Sequence, residues 1–110
     1  MDYAEKERLA LTGNGDAKAS SIRAKAARLY TGNSQEDVGA NAGVKKAAIN
    51  NVEKARSLPS RSLMMYFFRE HRIDFNFLIY GQFSQLPSDV QDRLFEKLQD
   101  VHNELDQTTN

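Results

Sequence analysis

The sequence predicts an all-α protein. Three observations carry that prediction: no stretch of useful length alternates apolar and polar residues, apolar positions recur at spacings of three and four, and capping residues punctuate the chain. The 110 residues amount to one domain with an appended element, an additional C-terminal amphipathic helix.

Residues Tyr3 to Leu11 suit a short helix, marginal by itself at that length, which the Gly-rich "TGNGD" turn closes. Segment 1–16 is acidic and reads as an arm or a short helix, frayed or packed. A better helix runs from about Ala17 to Tyr30, rich in Ala, Lys and Arg, with Ile22, Ala26, Leu29 and Tyr30 on one side. Gly32 suits the left-handed position that ends it. Ser34 then reads as an N-cap, with Asp37 three residues on in a near capping box, and that short helix stops at Gly43.

The next helix spans about Lys45 to Lys54, with Ala48, Ile49 and Val52 facing inward, and "SLPS" breaks it because Pro59 disfavours a helical residue before it. Ser60 caps the helix "RSLMMYFFREHR", and Asp74 caps a short one through Phe77 and Leu78 that Gly81 closes. Ser88 with Gln91 makes a capping box for the last helix, whose Val90, Leu94, Leu98, Val101 and Leu105 form an apolar stripe. Six helices at most are expected, with five of them in a domain over 17–82 and one in 83–110, which has a frayed end.

Composition narrows the function classes. Hydrophobic residues make up 40% and charged residues 27%, too apolar for wholesale disorder, and no apolar run approaches the ~20 residues that span a bilayer. The start "MDYAEKERLA" lacks the basic and apolar regions of a signal peptide, and the absence of cysteine fits a reducing compartment, so a cytoplasmic location is expected. The formal net charge is zero, but its distribution is uneven. From Lys18 to Arg72 eleven bases face four acids, a net +7; from Ser88 to Asn110 two bases face six acids, a net −4. A basic middle between acidic ends suggests a surface for a polyanion.

The run "SQEDVGANAGVKKAAINNVEKAR", followed by "LPS" and "IDFNFLIYG", resembles the helix-turn-helix domain of the phage repressor and Cro family, also called the XRE family. Gln35, Gly43, Val52, Glu53, Pro59, Phe77, Leu78 and Gly81 fall in the register of that family's signature, over about Ile22 to Gly81. The resemblance implies a five-helix lambda-repressor-like domain that binds double-stranded DNA, commonly as a homodimer on an inverted repeat, and most often represses transcription. Physical logic agrees. Two helices that cross closely need a small contact residue, here Gly39 where the family usually has Ala, and a turn residue tolerant of positive φ, here Gly43. Val44 and Ile49 then anchor the second helix on the core.

An α-helix placed this way fits the major groove, where base edges carry distinct donor and acceptor patterns. Lys45, Lys46, Ala47, Asn50 and Asn51 occupy its start and outer face and are the expected base contacts. Lys donates to guanine, Asn bonds adenine, and the Ala methyl touches that of thymine. Gln35 resembles the family's phosphate-clamping Gln at a helix N-terminus, and Arg56 matches a usual phosphate contact, with Lys54 and Arg61 as weaker candidates. In relatives an Arg placed as Arg28 pairs with the Glu placed as Glu53, so a structural ion pair orienting the recognition helix is expected. Three places depart from the pattern: Lys45 stands where a Ser or Thr caps, Ala55 stands where Gly follows the helix, and "MMYFF" with His71 replaces smaller apolar residues.

No nucleophile, base and acid stand together, and His71 and His102 lack metal-site spacing, so neither an enzyme nor a metal or cofactor site is expected. The stripe Leu94, Phe95, Leu98, Val101 and Leu105 suits either a two-fold partner or the protein's own domain equally. An alternative function remains: a protein-interaction module on the same scaffold, an antitoxin or anti-factor, gripping its partner with the acidic C-terminal helix.

Overall fold

A computed structural model describes residues 1–108, which form seven helices and no strand. They are α1 (Tyr3–Ala10), α2 (Ala17–Thr31), α3 (Gln35–Ala42), α4 (Lys46–Glu53), α5 (Arg61–His71), α6 (Phe75–Tyr80) and α7 (Ser88–Thr108). Side-chain caps set most of the boundaries. Ser34, Ser60 and Asp74 each accept a backbone N–H three residues on, as the sequence predicts. Asp2 and Asp16 do the same for α1 and α2, the latter from within the Gly-rich turn. Ser88 is already helical, and the Gln91 side-chain amide donates to the Leu86 carbonyl at 2.8 Å rather than closing a box with Ser88.

Segment 1–16 is not an arm. Its helix buries Leu9 and Ala10 completely, packed against α2 and α7, which supply the stability that eight residues lack alone. The organising element is α2, which touches α1, α4, α6 and α7. From Ala19 to Ala27 all but Lys25 are buried, and most are Ala or Ser, small enough for several helices to approach one axis.

Along α2 lies α7, with Val90, Leu94, Phe95, Leu98 and Val101 each 3% exposed or less. Burying a side chain of this size contributes roughly 1.5–3 kcal/mol, so the stripe binds the helix firmly to its own domain. Four of the five residues expected to serve a partner or the domain, Leu94, Phe95, Leu98 and Val101, thus serve the domain; only Leu105, 37% exposed, remains at the surface. One hydrophobic cluster runs from Leu9 to Val101, so the segments 1–16, 17–82 and 83–110 share a core rather than forming separate units.

Arg23 stands inside this core with no exposed surface. Its Nε donates to the Ala10 carbonyl at 2.7 Å; its terminal nitrogens donate to Ile79 at 3.0 Å, Leu11 at 2.9 Å and the Asn14 carbonyl. Carbonyls at the C-terminal ends of α1 and α6 lack helical partners, and the guanidinium supplies them. Burial pushes its pKa down to about 10, against the raising effect of Asp16, so it stays charged at neutral pH.

The aromatic α5 divides by face. Tyr66 and Phe67 are core, while Phe68 is 51% exposed with its ring 6.0 Å from that of Phe75. His71 is half-buried, its Nε2 3.0 Å from the Tyr66 hydroxyl.

Candidate functional site

The unit formed by α3 and α4 begins with a close approach. A Cβ on Gly39 would lie 2.7 Å from the Val44 carbonyl oxygen, a distance real Cβ atoms do not tolerate, so even the alanine expected from the resemblance does not fit this turn. Gly43 then reverses the chain at φ 74°. Val44 is half-buried against the core and Ile49 is 2% exposed, which fixes α4 by one side as the sequence predicts. Val52 is buried with it, but Ala48, expected inward, is exposed.

At the start of α4, Lys45 takes the cap position and makes no side-chain cap bond. No capping side chain therefore meets the first backbone N–H groups, which lie beside two lysines, and Ala48 N–H turns to the Lys45 carbonyl at 3.0 Å. Lys46, Ala47, Asn50 and Asn51 share an arc of about 140° at 100° per residue. Lys45, Lys46 and Ala47 are exposed and the two asparagines half-buried. The helix ends at Glu53 in a Schellman arrangement: Arg56 N–H donates to the Asn51 carbonyl at 2.9 Å and Ala55 N–H to that of Val52 at 3.0 Å. Ala55 occupies the left-handed position at φ 59°, the place the sequence marks as departing from glycine.

The ion pair is present as expected. Arg28 Nε lies 2.6 Å from Glu53 Oε2 and a terminal nitrogen 3.0 Å from Oε1, a bidentate contact with side chains 15% and 6% exposed. Arg28 also donates to the Asn33 carbonyl at 3.2 Å, tying the α2–α3 connection to the end of α4. Gln35 does more than the sequence indicated. At the first position of α3, its Nε2 donates to Glu53 Oε1 at 3.2 Å and Asn50 Oδ1 at 3.4 Å, turning the amide toward α4. No periodicity announces a bond between residues fifteen apart on two different helices; only the geometry brings them together.

The structure also sorts the cations. Among the eleven counted, Arg23 is buried; Arg28, Lys25, Arg69 and Arg72 are paired with Glu53, Glu104, Glu70 and Asp89. From Val38 to Arg61, by contrast, Lys45, Lys46, Lys54, Arg56 and Arg61 are all exposed and make no ion pair with a described residue. The single acid of that segment is Glu53, already bound to Arg28. Positive charge is thus concentrated at the outer face of α4 and its flanks. The described residues hold no cluster of three metal-ligating side chains, and no helix is long and apolar enough to cross a membrane.

Comparison with family models, curated proteins and solved structures gives no match.

Proposed function

We propose that this chain is a sequence-specific DNA-binding regulator of transcription, a repressor of the phage repressor and Cro type, in which α4 enters the major groove. One observation carries the reading: five exposed cations frame a polar helix face, and Glu53, the one carboxylate between Val38 and Arg61, is bound to Arg28. Lys45, Lys46, Ala47, Asn50 and Asn51 contact bases; Arg56, Lys54, Arg61 and the N-terminal end of α3 at Gln35 hold phosphates. The Arg28–Glu53 pair orients α4 on the core. The homodimer in this proposal is joined away from the α7 stripe, which is already buried; the exposed Phe68 ring over Phe75 is apolar surface available to it.

The alternative, a protein-interaction module, now rests on the acidic outer face of α7 alone, since its apolar stripe is inside. Selection of bound duplexes from a randomised pool at moderate salt separates the two. Enrichment of an inverted repeat with half-sites about 34 Å apart supports a dimeric operator-binding protein. A single enriched half-site keeps base reading and removes the symmetric dimer. No enrichment sinks the proposal. Lys46→Ala or Asn51→Ala is expected to relax discrimination by about 1–3 kcal/mol at particular base pairs, whereas Arg56→Ala weakens all sequences alike and lowers the salt slope by about 1.

A further inference from the structure

The recognition helix α4 packs on α2 and α3 and leaves its side toward α5 open. There it bounds, with the α4–α5 connection, a groove of about 160 Å³ whose walls are Val44, Ala48, Ile49, Val52, Leu58 and Leu63. All six are apolar, and Leu58 is 60% exposed. A cavity of about 150 Å³ lined by such residues takes a molecule the size of benzene, so this groove suits one branched or aromatic side chain. A leucine scattered on a surface signifies little, but this one rims an open apolar groove beside the exposed Ala48. Positive charge surrounds it. Lys45 adjoins Val44 in the chain, and Arg56 and Arg61 adjoin Ser57 and Ser60, the two polar residues that complete the lining. All three cations are exposed and make no ion pair with a described residue, and none of the lining residues is an acid.

From this we infer that the groove is a docking site for an acidic polypeptide segment, which seats one apolar side chain between α4 and the α4–α5 connection. Charge complementarity selects the partner: its carboxylates meet Lys45, Arg56 and Arg61 while the groove takes the anchor. A duplex satisfies the cations equally well, but the largest apolar projection of its base edges is the thymine methyl, too small for this groove. Position fixes the consequence. On α4, Ala48 lies about 60° from Asn51, at the edge of the expected base-reading arc. A segment seated there covers the flank of that arc and excludes the duplex, so the partner is an acidic protein that takes the regulator off its operator. That consequence rests on the DNA-reading proposal above; the docking site does not.

Fluorescence anisotropy on the full chain tests this with two labelled helical peptides of glutamate and alanine, one bearing a single central leucine and the other alanine in its place. The parent is expected to bind the leucine peptide about tenfold more tightly. Added salt weakens both peptides and leaves their ratio unchanged. Leu58→Ser and Ala48→Gln, neither of them at an expected DNA contact, bring the ratio to about one and leave duplex affinity as it is. Bound leucine peptide releases a labelled duplex from the parent. Equal binding of the two peptides, binding of neither, or a leucine preference that survives both variants overturns the docking site. Loss of duplex affinity in Leu58→Ser gives the groove to the duplex and overturns it too. A leucine peptide that docks and leaves the duplex in place overturns the inhibitory consequence alone. A parent that binds no duplex sinks the DNA reading while the peptide result stands.

Discussion

Replacing Ala55 by glycine should make this protein more stable, although it deletes a methyl group. Ala55 sits at φ 59°, where an L-residue pays about 1–2 kcal/mol for the crowding of its Cβ against the backbone. Glycine removes that strain, but its wider freedom in the unfolded chain returns about 0.4–1 kcal/mol. The difference is a net gain of about 0.5–1 kcal/mol, or about 2–6 °C in melting temperature for a domain near this size. Ala48 provides the control, seven residues earlier, exposed and within α4 at ordinary helical φ. Ala48→Gly should lose about 1 kcal/mol. Urea unfolding followed by circular dichroism, with m unchanged, reads both. If Ala55→Gly destabilises as Ala48→Gly does, the left-handed closure of α4 is wrong, and with it the placement of Arg56.

Three further outcomes are expected. Arg28→Met strands the Glu53 carboxylate at 6% exposure and should cost about 3 kcal/mol in urea unfolding; the double variant with Glu53→Met should cost less than the sum of the two singles. Gly39→Ala forces a Cβ against the Val44 carbonyl and should destabilise by about 1–3 kcal/mol, with equal stability of parent and variant refuting the tight turn. Burial holds the His71 pKa below its ordinary 6.5, with Glu70 opposing and Arg93 adding to the shift. The unfolded chain therefore takes up the proton first, so this contribution to stability is full above about pH 6.5 and is lost on acidification toward the folded-state pKa. His71→Gln should flatten that part of a melting-temperature profile, and an unaltered profile would remove His71 as its source.

Most of the helix boundaries were legible because they are local. Ser34, Ser60, Asp74, Gly32, Gly43 and Gly81 act within a turn of where they stand, so the sequence alone exposes their roles. The Arg28–Glu53 pair was legible only through the resemblance and its register. What escaped was whatever depends on a distant partner. An apolar stripe on α7 looks the same whether the surface covering it belongs to α2 or to another molecule, and only the small side chains of α2 decide the matter. The charge of Arg23 counted toward a basic surface it does not belong to, since nothing local distinguishes a cation that α1 and α6 will enclose. The sequence points Gln35 and Asn50 each toward nucleic acid, and their mutual bond exists only in three dimensions.

Arg23 gives the molecule a closed circuit. The carbonyls it gathers come from residues 10, 11 and 14 on one side and 78 and 79 on the other, so a single side chain buckles together the two stretches that flank the basic middle segment. Peeling α1 away would expose two acceptors and orphan a cation in the interior, a state costlier than loss of the helix contacts alone. Opening α6 meets the same penalty from the opposite direction. Loosening at either end is therefore opposed by what the other end holds on the same guanidinium.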